Sequence, residues 1–246
     1  MIFPLADTCL APVSTGLAVD HIGVVVRDLG REVAAWRELG FRVSDPVPLM
    51  GGDAQGRAVP LGQSSAHVVF ENSYVELSSP VPGSGNHLES YLAAGEGVRI
   101  LVLAATDAAA AQKSVAATHP DCPAPRPASR AIVIAGREDI ARFIWFPLPV
   151  DVVPGVLSAV VEHATPELVF HPSLVDHPNG ARRVARYLVD GAASALVLPA
   201  LPAFAGRDVP GLARSDRPGA AVIGGFVVTG GAGDRERHFS LLPPVR

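Results

Sequence analysis

Val19-Asp20-His21-Ile22-Gly23-Val24-Val25-Val26 sets one imidazole inside an otherwise apolar strand. Read with period two, Ile22, Val24 and Val26 share one face, and His21 shares the other with Val19, Gly23 and Val25. The period then changes. Asp28 stands where a helix N-cap belongs, and Leu29, Val33, Trp36 and Leu39 recur at helical spacing as far as Gly40, which ends the run. A strand running into a capped helix predicts a βα unit. Further along, Asn72-Ser73-Tyr74-Val75-Glu76-Leu77-Ser78 repeats the strand pattern, with Val75 and Leu77 turned one way and Tyr74, Glu76 and Ser78 the other. Two neighbouring strands that turn an imidazole and a carboxylate into one concavity would make half of a metal site.

Between these strands, Phe41-Arg42-Val43-Ser44 reads as a second strand, Met50-Gly51-Gly52-Asp53 as a turn, and Ala66 to Glu71 as a third strand, which gives β-α-β-β-β. After a Gly/Pro/Ser-rich connection from Ser79 to Asn86 the order restarts. Gly97 to Leu103 is a buried-looking strand, and Thr106-Asp107 caps an alanine-rich helix to about Ala117. Past a proline-broken loop from His119 to Ser129, Arg130–Ile134, Arg142–Phe146 and Ala159–His163 supply three more strands. The second Asp-capped helix directly after an apolar strand is the repeat signal. From His177-Pro178-Asn179-Gly180 a weaker third copy begins: a strand at Arg183–Val189, an imperfect helix from Ala192 to Ala205 broken by Pro199 and Pro202, and strands at Ala221–Val228 and Arg237–Leu242. The expected fold is α+β, with a paired β-α-β-β-β domain over residues 1–175 and a partial β-α-β-β unit packed on it over 176–246. If that last unit is an unpaired half, Val222, Phe226 and Val228 would be exposed unless the main domain or a second chain covers them, and on this basis a homodimer is expected.

At 246 residues, 48% hydrophobic and a net charge of −4, the chain can bury a large core, and 24 Gly with 23 Pro point to many short elements. A mildly acidic balance without a basic stripe argues against nucleic acid as a partner. Cys9 and Cys122 have neither metal-ligand spacing nor the density of a disulfide scaffold, which favours a reducing cytoplasm. No apolar run has the roughly 18 residues of a membrane span, and Met1 to Leu5 lacks the basic flank of a secretory signal. Gly51-Gly52 and Gly230-Gly231-Ala232-Gly233 lack the context of a phosphate-binding loop, and no Gly-x-Ser-x-Gly occurs. No organic cofactor is expected.

The opening Val19-Asp20-His21-Ile22, the Asp-capped helix ending in Leu39-Gly40-Phe41, and Tyr74-Val75-Glu76-Leu77 resemble the vicinal oxygen chelate superfamily. Glu162-His163-Ala164-Thr165-Pro166-Glu167-Leu168 with His177-Pro178-Asn179-Gly180-Ala181 is similar to its glyoxalase-like domain family. The resemblance spans about Val19 to Ala181. It implies paired units whose curved mixed sheets form a barrel around one cavity, usually with a divalent metal (Zn, Fe, Mn or Ni) near the floor. It implies either a metal-dependent enzyme of lyase, isomerase or dioxygenase type acting on a small substrate with vicinal oxygens, or a metal-free protein that sequesters a small molecule in the same cavity. Fold alone does not choose between them.

In this superfamily ligands come from the first and last strands of each unit. The resemblance therefore assigns His21 and Glu76 as metal ligands, whereas the matching first-strand position of the second unit falls near Ile100, which ligates nothing. His163 is the expected replacement, giving two imidazoles and a carboxylate. Glu76 or His67 would move the proton. Arg57, in the loop from Gly51 to Gly62, is placed to cover the cavity mouth and meet an anionic substrate, Tyr74 to form the wall beside it, and His177 to face it from its turn. A core histidine satisfied by a carbonyl, a solvated arginine and a turn-stabilising His177 remain open alternatives for these residues.

Overall fold

The computed structural model describes residues 2–5, 11–13, 18–53, 55, 57–150, 152–153, 155–190, 200–215, 223–230 and 236–241. Short strands β1 (Phe3–Leu5) and β2 (Ala11–Val13) precede the first unit, formed by β3 (Val19–Val25), α1 (Leu29–Glu38), β4 (Val47–Gly52), β5 (Ala58–Val69) and β6 (Tyr74–Pro80). Helix α2 (Leu88–Ala93) leads to the second: β7 (Gly97–Ala104), α3 (Ala108–Ala116), β8 (Arg126–Ile134), β9 (Arg137–Pro147) and β10 (Leu157–His163). Their order, β10-β7-β3-β6-β5-β4-β8-β9, closes into a mixed barrel. Within each unit the first strand lies parallel to the last, and the units join antiparallel through β3 with β7 and β4 with β8. Closure removes every free sheet edge and gives the inward side chains of all eight strands one shared interior.

Local chemistry explains the repeat. The Asp28 carboxylate accepts from the Arg31 N–H and that of Asp107 from the Ala110 N–H, both at 2.9 Å, so each helix starts where its first strand ends. Gly40 ends α1 at φ +77°, its N–H reaching the Arg37 carbonyl. Phe41–Ser44, expected as a strand, is not one: Phe41 drops straight from the helix into an aromatic cluster. The second strand is instead β4, whose last residues are the Met50-Gly51-Gly52 stretch expected to turn. Pro48 and two glycines hide it from a propensity reading. At Gly51 the strand lies close under the Leu61 side chain of β5, whose Cδ2 would be 2.6 Å from an added Cβ.

A second sheet has the order β1-β14-β13-β11-β12-β2, with β11 (Arg183–Asp190), β12 (Gly211–Ser215), β13 (Ile223–Thr229) and β14 (Arg237–Ser240). The helix expected over Ala192–Ala205 lies largely outside the described residues, and 200–205 are not helical. Val222 is also outside them. Phe226 and Val228 are fully buried, and Phe226 stacks on Trp36 of α1 at 5.7 Å, with Phe41 and Phe239 in the same cluster. The apolar face that prompted the homodimer expectation is thus covered from within the chain. No helix among the described residues is long and apolar enough to cross a membrane.

His177 sits in the seam between barrel and second sheet, against Phe41 and Phe70. Its Nε2 donates to the Val69 carbonyl and its Nδ1 accepts from the Arg42 N–H, both at 2.9 Å. A ring that accepts at one nitrogen must be neutral, and burial pushes its pKa down to about 4. The unfolded chain therefore takes up a proton near pH 6.5 before the folded one can. Stability should fall by on the order of 3 kcal/mol as pH drops from 6.5 through 4. Chemical denaturation across that range should show this slope in the wild type and a much shallower one in His177→Gln; equal slopes would clear His177 of responsibility.

Candidate functional site

The inward face of β3, β5 and β6 carries the polar half of the barrel interior. His21 and Glu76 meet there, with His21 Nε2 3.6 Å from Glu76 Oε2, and the Tyr74 ring stacks on His21 at 4.0 Å. Glu76 Oε1 accepts from the hydroxyls of Ser65 and Ser78 at 2.6 Å each and from the Gln63 amide at 3.3 Å. Asn86 in turn donates to Gln63 Oε1, which fixes the direction of the amide. Burial would raise the Glu76 pKa, but the His21 ring beside it and the serine and amide donors outweigh it and hold the carboxylate ionised far below its ordinary range.

Asp20 belongs to the same site, against the period-two reading. The β3–β7 register slips between Val19 and His21, so Asp20 is an extra residue in the strand, and such bulges re-aim side chains. Fully buried, it bonds His21 Nδ1 at 2.7 Å and His163 Nε2 at 3.0 Å. Arg207, from the stretch between β11 and β12, makes a further bond to Asp20 and lays its guanidinium over Phe170 at 4.0 Å. Burial works to raise the Asp20 pKa, yet His163, His21 and Arg207 together hold it well below the usual range. For His21, burial works downward, and Asp20 and Glu76 on either side prevail and raise its pKa. The result is a buried imidazole between two carboxylates that favour its protonated form.

Across from Glu76 on β5 stands His67, 4% exposed, with its Nδ1 buried and unpartnered among the described residues. Burial and the nearby Arg130 charge push its pKa well below the ordinary imidazole value, so it is neutral. Arg130 of β8 is also 4% exposed; its Nε and one Nη are buried without a partner among the described residues, and its guanidinium lies 5.8 Å from the Tyr74 ring centre. The other walls, from β7, β9 and β10, are apolar: Ile100, Val102, Phe143, Trp145, Leu157 and Ala159. They enclose a cavity of about 100 Å³ that His21, His67, Tyr74, Glu76 and Arg130 all line. An outer hollow of about 420 Å³ borders the far side of His67 and Arg130.

The residues singled out from the sequence divide accordingly. His21, His67, Tyr74 and Glu76 come together in the cavity. His163 turns to Asp20 and packs among Phe143 and Phe170 instead of joining His21 and Glu76. Glu162, its neighbour, accepts from the Ala108 N–H at the start of α3. Arg57 is exposed and paired with Asp53, and His177 lies in the seam already described. Sequence reasoning missed Asp20, Arg130 and His87, the last of which lines the cavity beside Gln63.

These donors do not fit a divalent metal. The register pairs Gly23 with Glu76 and Val102 with Ala159, so the repeat's counterparts of His21 and Glu76 are Ile100 and Ala159, which donate nothing. Ile100 packs so tightly on Gly23 that a Cβ there would meet it at 2.6 Å. Of the four His and Glu side chains that line the cavity, His21, His67, Glu76 and His87, no three are placed to share one ion; Glu76 has one oxygen already saturated, and the cavity also holds an unpaired guanidinium. A dication there would face uncompensated positive charge with fewer than the three or four protein ligands usual for such sites. Among the described residues no group of three or more His, Cys, Asp or Glu side chains is placed to hold a metal ion.

A barrel closed from two β-α-β-β-β units around a single polar floor defines the vicinal oxygen chelate class. Residues 19–202 match the glyoxalase-like domain family, and the chain belongs to it. No curated protein matches the chain. Among solved structures, a Streptomyces coelicolor methylmalonyl-CoA epimerase variant in complex with 2-nitronate-propionyl-CoA is 22% identical over 60% of this chain and 96% of its own, with a TM-score of 0.40. The methylmalonyl-CoA epimerase of Mycobacterium tuberculosis is 18% identical over 63% and 93%, with a TM-score of 0.40. A hypothetical protein from Staphylococcus aureus is 11% identical over 71% and 69%, with a TM-score of 0.49.

Proposed function

We propose that this protein is an acid–base enzyme that takes a small molecule with vicinal oxygens into the barrel cavity and moves a proton there without a resident metal. One observation carries the reading: His67, an imidazole with a buried unpartnered nitrogen, stands across from His21, an imidazole flanked by two carboxylates, over a cavity of small-molecule size. His67 takes a proton from a carbon next to the substrate carbonyl; the electron pair of that C–H bond becomes the enolate double bond. Charge then collects on the carbonyl oxygen, where the imidazolium of His21 stabilises it in a water-poor setting. Glu76, too strongly held to act as a base at neutral pH, keeps His21 charged and aligned. A metal centre built from His21, Glu76 and His163 is not part of this reading, because His163 is engaged by Asp20.

The apolar wall with Ile100 and Ala159 favours a second reading, a protein that only binds and sequesters its ligand. Deuterium exchange separates the two. Small 2-oxo acids, hydroxyketones and diketones incubated in D2O should exchange their α-protons faster with protein than without, by NMR. His67→Asn should lose about a hundredfold or more of that acceleration. Binding of these compounds without any accelerated exchange would select sequestration, and exchange unchanged by His67→Asn would remove His67 from the mechanism.

A further inference from the structure

Arg130 has no place in the proton transfer just described, and its burial is costly. A guanidinium offers five N–H donors in a planar fork, and leaving it desolvated and unpaired is among the least favourable arrangements in a protein interior. Asp20 is engaged by Arg207, His21 and His163, and Glu76 by its serine donors beside His21, so neither carboxylate pairs with Arg130, which remains as surplus positive charge in the cavity wall. Its strand places it beside Ala128, with the Tyr74 ring below and Phe143, Trp145 and Leu157 across the cavity. Resting on the reading of the barrel as a small-molecule site, we infer that Arg130 is the carboxylate-binding residue of the cavity and that the ligands are small organic acids with an apolar body. The fork pairs bidentately with the carboxylate, and the apolar part lies against Ile100, Val102, Phe143 and Leu157. At roughly 10–15 Å³ for each enclosed water, the cavity takes about seven to ten non-hydrogen atoms. That suits a short branched 2-oxo or 2-hydroxy acid, whose second oxygen then falls on the His21 and His67 side. Burial lowers the pKa of Arg130, the cost that a bound carboxylate would relieve.

The probe is 3-methyl-2-oxobutanoate, compared with its neutral amide by isothermal titration calorimetry. The acid should bind the wild type at least about tenfold more tightly than the amide. Arg130→Gln should weaken the acid by about tenfold or more and leave the amide unchanged, with Arg130→Lys in between. Ala159→Leu, or Leu157→Trp should that variant fail to fold, fills the cavity and should weaken both compounds. Arg130→Met should melt a few degrees higher than the wild type without ligand, since it removes an unpaired buried charge, and should lose the stabilisation by the acid. A purely structural arginine would shift stability the other way. If acid and amide bind equally well and Arg130→Gln alters neither, the carboxylate assignment falls while the cavity reading stands. If the acid still binds the filled variants but not Arg130→Gln, it sits in the outer hollow and the assignment to the barrel fails. If neither compound binds the wild type, both readings fail.

Discussion

Asp20→Asn should be the most destabilising polar substitution in the barrel, costing about 3–5 kcal/mol, because it leaves Arg207 and His21 desolvated without their shared counter-charge. Asn is nearly isosteric, so the loss is one of charge and not of volume. Its pH dependence follows from the two groups. Asp20 is held below its unfolded value, so its contribution is present above about pH 3.8 and disappears as pH falls through the folded value. His21 is held above its unfolded value, so its contribution is complete below about pH 6.5 and is lost as pH rises through the folded value. The difference between wild type and variant should therefore be greatest between about pH 4.5 and 6.5. It should shrink on the acid side, and decline in part on the alkaline side, where the Arg207 pairing persists. Urea denaturation of both proteins at several pH values measures it. A difference below about 1 kcal/mol at pH 6 would mean that water reaches Asp20 and that the buried network does not hold.

Why this residue escaped a reading of the sequence is instructive. Period two assigns Asp20 to the face opposite His21, and the rule fails at the one place where a bulge inserts an extra residue. Bulges are set by pairing with a distant strand and leave no local trace. A weaker signal was present: a carboxylate between Val19 and His21 in a buried strand needs a cationic partner as much as Glu76 does. Arg130 was more accessible still, since Ala128, Arg130 and Ile132 alternate on one side of β8, but β8 begins at Arg126, inside the stretch read as a proline-broken loop, so Arg130 stood as the first residue of its strand and its facing was not read. Helices α1 and α3 were legible because Asp28 and Asp107 cap them locally, whereas α2 has no capping side chain and was not read; both first strands were legible because their apolar runs are strong. β4 was not, because its formation depends on pairing with β5 and β8 and owes little to its own Pro48, Gly51 and Gly52. His163 was read correctly as to strand, while its partner was decided by the bulge on another strand.

The absence of a second ligand pair gives the other large expected effect. Ile100→His would restore, at the repeat's counterpart of His21, the one donor type that turns two ligands into a two-histidine, one-carboxylate set. The position is structurally permissive: Ile100 lines the cavity, packs over Gly23 rather than over a side chain, and lies on the strand that pairs directly with β3. Binding of Zn(II) or Co(II), followed by calorimetry and by the visible absorption of the cobalt form, should be at least about a hundredfold tighter in Ile100→His than in the wild type. That is a conservative floor, because even indirect supporting contacts to a metal ligand are worth 10–100-fold in affinity. Combining Ile100→His with Arg130→Met should tighten binding again by removing the nearest unpaired cation, and this second step separates electrostatic exclusion from ligand count. Sub-micromolar zinc affinity in the wild type, lost in Glu76→Gln, would show instead that His21 and Glu76 suffice with solvent ligands, and the metal-independent reading of the site would have to be abandoned.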